Sequence, residues 1–181
     1  MASWTKSTWT DAGQIACLVD PDAPPGEAGG HALDAWYGRL VQGGDLAGAA
    51  MFLGHALPRY ECVVWALRSL IDAGLVDRGD PLVVAVLRWI DSPDDDLRRA
   101  AGDLADAERR NSPARYLAQA VFFSGGSIAP RDLAPVQPPP DLCAKLAAGA
   151  ILSAAYAAGD PAPALRTALS LGEQLVTGGA V

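Results

Sequence analysis

The residue types that most often carry chemistry are scarce in this chain, and their spacing does not suit a catalytic or metal site. The sequence holds two histidines, His31 and His55. Neither lies in an HExxH, an HxH or a Cys/His spacing, the patterns in which imidazoles usually bind zinc. We therefore expect no metal, no cofactor and no catalytic residue. We expect His55 to be a partly exposed residue at a helix end, where the helix dipole favours its cation.

Three consecutive carboxylates, Asp94 to Asp96, raise the question of a Mg²⁺ or Ca²⁺ site. They lack the glycine turn and the closing glutamate of an EF-hand loop. Three i,i+4 acid–arginine pairs explain these residues and their neighbours as the solvated face of a helix. The predicted pairs are Asp94 with Arg98, Asp95 with Arg99 and Asp106 with Arg110.

The Ser124-Gly125-Gly126-Ser127 stretch allows two interpretations. Successive backbone N–H groups in such a loop can form an anion-binding nest. The stretch lacks the spacing of a phosphate-binding P-loop, and no strand precedes it as a GxSxG nucleophile turn would need. A helix C-cap followed by a tight turn is the favoured interpretation. Arg131, just beyond, could serve a ligand anion or tie the loop to a helix end.

The segment from Pro130 to Pro140 is the longest and most distinctive loop of the chain. Its PVQPPP run favours polyproline II, which can dock in aromatic grooves of partner proteins. The run could equally cross over aromatic side chains of its own fold. We favour that internal role, because a long Ala- and Leu-rich helix, predicted from Leu142, follows immediately.

Composition predicts a single all-α domain. Half of the 181 residues are hydrophobic and only 19% are charged, while much of the apolar content is alanine, the best helix former. The net charge of −7 disfavours nucleic acid and anionic membranes, because both attract basic proteins. No apolar run reaches the ~20 residues needed to span a bilayer. Three scattered cysteines and the lack of a signal sequence predict a cytoplasmic protein with reduced, mostly buried thiols.

Turn and capping signals divide the chain into a flexible N-terminal arm, residues 1–30, and one helical domain, residues 31–181. Within the arm, an apolar patch at 15–19 could dock as a single turn or a short strand. In the domain, a capping Asp or Ser directly before Pro marks four helix starts. Hydrophobic periodicity adds the others, and we predict about seven helices in an irregular antiparallel bundle or short α-solenoid-like stack. The first predicted helix begins at Leu33. The others span residues 46–56, 59–73, 81–91, 93–110, 113–123, 142–158 and 161–177.

Three blocks of the sequence resemble an uncharacterised bacterial family of helical proteins that is known as a domain of unknown function. They are ALPRYECVVWALRSL (56–70), AVFFSGGSIAP (120–130) and PVQPPPDLCAKLAAGAILSAAY (135–156). The resemblance covers roughly residues 33 to 177 and implies no reaction. It also implies an association with type VI or other secretion and effector systems. The positions that match those defining the family are Pro58, Arg59, Trp65, Ser124, Gly125, Gly126 and Pro138 to Pro140.

Three functions follow as hypotheses. The first is a non-enzymatic, chaperone-like adaptor that binds another protein through a helical face near the Ser124–Pro140 loop. The second is a small-molecule-binding or enzymatic domain with a site at the SGGS turn, an arginine as anion contact and an aromatic wall from Trp65 or Tyr116. The third is a structural homo-oligomer, such as a dimer formed through the 142–158 helix. The candidate binding residues are Arg59, Trp65, Ser124, Gly125, Gly126, Arg131 and Pro138.

Overall fold

The computed structural model describes residues 4–20 and 26–179, and over these residues the fold is all-α. The described chain forms nine α-helices and one short 3-10 turn, Gly26–Ala28, with no β-strand. The predicted fold class is confirmed, and the helix count is close to the predicted seven. The helices are α1 Ala12–Val19, α2 Leu33–Gln42, α3 Leu46–Ala56, α4 Arg59–Asp72, α5 Pro81–Asp91, α6 Asp95–Ala107, α7 Pro113–Phe122, α8 Leu142–Ala157 and α9 Ala162–Val176.

The Ala-rich helix α8 lies in the centre of the bundle. It packs against α7, α4, α3 and α9, and alanines such as Ala147, Ala150 and Ala155 are fully buried. Small side chains allow helix backbones to approach closely, so the alanine content serves contacts on several sides of one helix. The composition of α8 is therefore explained by its place within this chain.

Helix α4 is the second interior helix of the bundle. It contacts α8, α9, α7 and α5. Trp65 is fully buried, and its indole Nε1 donates a hydrogen bond of 2.7 Å to the carbonyl of Ala168 in α9. The buried donor is thereby satisfied, as a tryptophan in a core requires.

Three of the four predicted caps before proline are present. The side chains of Asp80, Ser112 and Asp160 each accept a hydrogen bond from a backbone N–H at the start of the next helix. The fourth prediction, Ser92, was wrong. Asp94 caps α6 instead by accepting from the N–H of Leu97 at 2.8 Å, so the helix starts two residues later than predicted.

The charge pattern predicted for α6 is only partly correct. The pair of Asp95 with Arg99 is present at 2.9 Å. The predicted pair of Asp94 with Arg98 is absent, because Asp94 caps the helix and Arg98 pairs with Asp95 instead. Arg110 lies beyond the end of the helix at Ala107. Leu104, on the same helix, is 41% exposed.

The described part of the N-terminal segment is packed on the helical domain. A helix of two turns, α1, stands where we expected a flexible arm with a single turn or short strand, and a capping box of Asp11 and Gln14 starts it. Ile15 is fully buried, and α1 contacts α3. The N–H of Lys6 donates to the carbonyl of Val176 at the end of α9. Residues 1–3 and 21–25 of the predicted arm lie outside the described residues.

Candidate functional site

The connection between α7 and α8 is a clasped loop, which we define as residues 127–136. The Ser127 hydroxyl oxygen accepts hydrogen bonds of 3.1 Å from the N–H groups of Ala129 and Val136. The N–H of Ile128 donates to the carbonyl of Val136 at 2.9 Å. The two ends of the loop therefore meet, as in the compact surface loops known as Ω-loops.

Two arginines of α6 hold the base of this loop. Arg98 donates to the carbonyls of Phe122 at 2.5 Å and Ser127 at 2.9 Å. Arg99 donates to the carbonyls of Ala129 at 3.0 Å and, like Arg98, Ser127 at 2.9 Å. Their guanidinium groups also hold the pKa of the Asp95 carboxyl below its ordinary value. The loop thus directs carbonyl oxygens towards cations, which is the opposite polarity to an anion-binding nest.

The SGGS turn is a helix C-cap, as favoured from the sequence. The N–H and hydroxyl groups of Ser124 both donate to the carbonyl of Val121. Gly126 has a φ of +63°, and a β-carbon there would lie 3.0 Å from both Arg98 Nη2 and Asp95 Oδ1. Glycine is needed at this position both for its backbone conformation and for the close approach of the arginine.

Arg131 and Pro138 occupy different surroundings. Arg131 pairs with Asp96, which raises the pKa of its guanidinium, and both side chains are well exposed. Such exposed pairs contribute little stability. Pro138 is buried, whereas Pro135, Gln137 and Pro139 around it are exposed. The proline run is therefore held to its own fold by the backbone of Val136 and by the buried side chain of Pro138.

Arg59 is the predicted residue that reaches the SGGS turn from another helix. Its Nη1 donates to the carbonyl of Ser124 at 3.3 Å. The structure thus brings Arg59 together with the SGGS turn, while the Trp65 indole bonds to α9 on another side of α4. The sequence pattern missed Arg98 and Arg99, because an Asp residue three or four positions earlier made both look like solvated helix charges.

A pocket of about 170 Å³ lies beside Arg59, at the start of α4. It is bounded by the end of α3, the first turns of α4 and α8, and the N-terminal segment. His55 lies in its wall and is only 5% exposed, so the prediction of a partly exposed residue was wrong. The residues that line the pocket are Thr8, Trp9, Leu18, Gly54, His55, Leu57, Pro58, Arg59, Cys62, Pro140 and Ala144.

The His55 ring is fixed on one side and has no partner on the other. Nδ1 lies 2.8 Å from the carbonyl of Met51, and only a protonated Nδ1 can donate to a carbonyl. Nε2 is buried and has no hydrogen-bond partner among the described residues. Burial lowers the pKa of the imidazole, which the bond to Met51 opposes. The neutral ring therefore carries a free lone pair on Nε2.

Two buried thiols lie close to the same pocket. Cys62 is in its wall, and the thiol of Cys143 donates a weak hydrogen bond of 3.9 Å to the carbonyl of Arg59. Burial raises the pKa of both thiols, that of Cys143 to about 12. They are therefore neutral at physiological pH and unsuited to nucleophilic attack. Cys17, in contrast, is exposed.

A groove of about 550 Å³ lies away from the predicted site residues. It runs between α4, α5 and the end of α9, with exposed Tyr60 and Leu87 in its wall. Its charges are mixed, since Arg68 and Arg78 stand beside Glu61 and Asp72. It offers no set of convergent polar groups that would identify a ligand.

The sequence of residues 36–176, which includes the loop, Arg59 and His55, matches the model of a known family. The chain belongs to the family of unknown function DUF6931. This confirms the predicted membership of a helical family without assigned function. No curated protein and no solved structure matches the chain. The DUF6931 match begins inside α2 and leaves α1 outside it.

Two further observations describe this DUF6931 chain. No group of three or more His, Cys, Asp or Glu side chains within residues 4–20 and 26–179 is arranged to hold a metal ion. In the same residues, no helix combines the length and apolar character that crossing a membrane requires.

Proposed function

We propose that this DUF6931 protein is a protein-binding adaptor whose recognition element is the clasped loop, residues 127–136. The observation that carries the proposal is the exposure of two aliphatic side chains on a loop that is otherwise tightly held. Leu133 is 60% exposed and Val136 is 50% exposed. Val136 is itself hydrogen-bonded to Ser127 and Ile128, and Leu133 lies within the loop that these bonds close.

The restraint of the loop favours binding. Association is opposed by the loss of loop and side-chain freedom, and a loop that is already ordered loses less. Ser127 closes the loop while Arg98 and Arg99 fasten it to α6. Leu133 and Val136 are therefore presented in one fixed arrangement, which suits insertion into an apolar recess of a partner.

The net charge of the chain indicates which kind of partner protein it would bind. With a net charge of −7, the protein attracts a basic surface and repels a second copy of itself. We therefore propose a partner protein with an apolar recess and a basic rim, in preference to the homo-oligomer. The association with secretion or effector systems, and a cytoplasmic location, remain predictions that the partner's identity would test.

Site-specific crosslinking tests this proposal directly. A photo-reactive amino acid at position 133 is compared with the same group at Tyr156, which is 58% exposed on α8. We expect one basic protein to be crosslinked from position 133 and not from 156. With that protein purified, Leu133→Asp should weaken its binding at least about tenfold, measured by calorimetry, while Leu104→Asp should leave binding unchanged.

Leu104→Asp is a matched control, because Leu104 is also an exposed leucine but lies on α6. Both variants should keep the wild-type melting temperature. Equal crosslinking from the two positions, or wild-type affinity of Leu133→Asp, would contradict the proposal. A crosslink from position 133 to a second copy of this chain would replace the adaptor with a homo-oligomer.

The second hypothesis, a small-molecule site at the SGGS turn, is favoured by one observation only. Arg59 extends from the pocket beside α4 to the carbonyl of Ser124. In the turn itself, the carbonyl of Ser127 is engaged by both Arg98 and Arg99. A ligand is therefore better placed on the pocket side of Arg59 than on the turn.

A further inference from the structure

The pocket beside Arg59 is a partly open cleft that contains polar groups the fold leaves unused. Trp9 forms part of its wall, and the indole Nε1 donates to the backbone carbonyl of His55 at 2.9 Å. Leu18 of α1 and Pro140 before α8 also line the pocket. A volume of about 170 Å³ exceeds the ~30 Å³ that one water molecule occupies in the liquid, so a small organic molecule has room.

His55 supplies the first unused group. Its ring is influenced by the charges of Lys145 and Asp141, which lie at the N-terminal end of α8. The same end supplies Pro140 and Ala144 to the pocket wall, so the ring lies against this part of the pocket. A buried Nε2 without a partner costs free energy, and a ligand that bonds to it removes that cost.

Arg59 supplies the second group. Among the described residues it forms no ion pair, and its one hydrogen bond, to the carbonyl of Ser124, is long at 3.3 Å. The side chain is half-buried in the pocket wall. A partly desolvated guanidinium with free donors is a strong site for a planar, two-oxygen anion.

The start of α4 also favours the binding of an anion beside Arg59. Pro58 occupies the N-cap position, and no side chain caps the first turn. The free N–H groups and the positive end of the helix dipole therefore favour an anion at this end of α4. At the neighbouring start of α8, the charge of Asp141 is matched by Lys145 at 2.7 Å.

We infer that this pocket binds a small monocarboxylic acid, with the carboxylate on Arg59 and His55 and a short apolar body among the surrounding side chains. The apolar part of the wall comes from Leu18, Leu57 and Ala144, with the neutral thiol of Cys62. Such walls suit a hydrocarbon chain of a few carbons and disfavour a fully hydrated anion such as phosphate. The site is independent of the protein-binding role proposed for the loop.

Binding should be linked to pH through His55. In the empty pocket burial and Lys145 lower the pKa of the imidazole, while Met51 and Asp141 raise it. A bound carboxylate adds a negative charge and raises this pKa, so the ligand binds together with a proton. The thiols of Cys62 and Cys143 stay neutral throughout this range, because burial raises the pKa of both. Affinity should therefore increase as the pH falls from about 8 to about 6.

The test is an NMR titration of the full chain with sodium butyrate, observed at the imidazole nitrogens and protons. The chain has only two histidines, and His31 serves as the internal control. We expect saturable shifts at His55 and none at His31, with tighter binding at the lower pH. Phosphate at equal ionic strength should bind at least about tenfold more weakly than butyrate.

Two variants connect the signal to the pocket. Arg59→Gln should weaken butyrate binding at least about tenfold, whereas Arg68→Gln, on the same helix but in the other groove, should not. If Arg59→Gln does not fold, His55→Asn provides the test by calorimetry. Asn can keep a bond to the Met51 carbonyl but lacks Nε2, so binding and proton uptake should be lost.

Each contrary result overturns the inference. One is a His55 signal that does not move with butyrate in the folded protein. Another is phosphate bound as tightly as butyrate, which would reduce the site to an unselective helix end. Wild-type affinity of Arg59→Gln or His55→Asn would remove the pocket as the binding site. The crosslinking result at Leu133 is independent of all of these.

Discussion

At the scale of single residues, the contacts of Arg98 set it apart from the other cations of α6. Its side chain is buried, and it bonds to the carbonyls of Phe122 and Ser127 and to the Asp95 carboxylate. It also lies over the Phe122 ring at 5.0 Å, a favourable position for a cation. One side chain therefore joins α6, the end of α7 and the clasped loop.

We expect Arg98→Met to lower the free energy of unfolding by about 2–4 kcal/mol. The variant keeps the aliphatic length but removes the donor to the Phe122 carbonyl and one of the two donors to the Ser127 carbonyl. Denaturant unfolding measures this change. Hydrogen exchange of the Ile128 and Val136 amides should accelerate more than that of the α8 amides, since the loop loses its support first. Arg109→Met, at an exposed position, should change neither quantity. Equal stability of the two variants would contradict the role given to Arg98.

Single-residue environments were the least predictable from the sequence. His55 lies in the last turn of α3, and helix ends often face solvent, but the N-terminal segment and α8 cover it. Arg98 and Arg99 have the same local pattern of preceding aspartates, yet both turn towards the loop. Local spacing cannot show which elements arrive later to cover a helix, because those contacts are made by distant residues.

At the scale of helices, close packing between neighbouring helices is marked by glycines, which α-helices otherwise disfavour. Gly172 in α9 is one of them. A β-carbon at this position would overlap the Leu53 side chain and lie 2.9 Å from the Trp65 Nε1, whose hydrogen bond to Ala168 joins α4 to α9. Glycine is therefore required here by packing and not by backbone conformation.

We expect Gly172→Ala to lower the free energy of unfolding by about 1–3 kcal/mol, because over-packing outweighs the better helix propensity of alanine. Gly149→Ala is the matched change in α8, where a β-carbon would meet no atom within 4 Å. It should stabilise the protein by up to about 1 kcal/mol. Denaturant unfolding checks both signs, and a shift of Trp65 fluorescence in Gly172→Ala would report its local effect. A stabilising Gly172→Ala would show that α9 can move away at no cost.

Helix positions were largely predictable, because capping and periodicity are local signals. The bounds of α3 and α5 are those predicted, and Asp45, Asp80 and Ser112 act as caps. The failure at α6 has a local cause as well. Ser92 closes the end of α5 and Asp94, the better-placed side chain, caps the next helix. Helix α1 was missed, because eight residues without a long apolar stripe give little signal on their own.

At the scale of the whole molecule, the N-terminal segment completes the bundle and forms one wall of the pocket. The Trp4 ring lies 5.1 Å from that of Tyr37 in α2 and 6.0 Å from that of Phe52 in α3. Trp9 and Leu18 enclose the space beside Arg59. The match to DUF6931 begins at residue 36, so this part of the structure lies outside the family region while contributing to its candidate site.

A single substitution in α1 distinguishes a docked helix from a flexible arm. Ile15 is fully buried, and shortening a buried isoleucine to alanine costs about 2–5 kcal/mol. In a flexible arm the same change would cost almost nothing. We therefore expect Ile15→Ala to lower the free energy of unfolding by at least about 2 kcal/mol, measured by denaturant unfolding, while Cys17→Ala, at an exposed position of the same helix, stays within about 0.5 kcal/mol of wild type. Wild-type stability of Ile15→Ala would indicate that α1 is not docked on the domain, and the pocket would then lose the apolar wall that Leu18 provides.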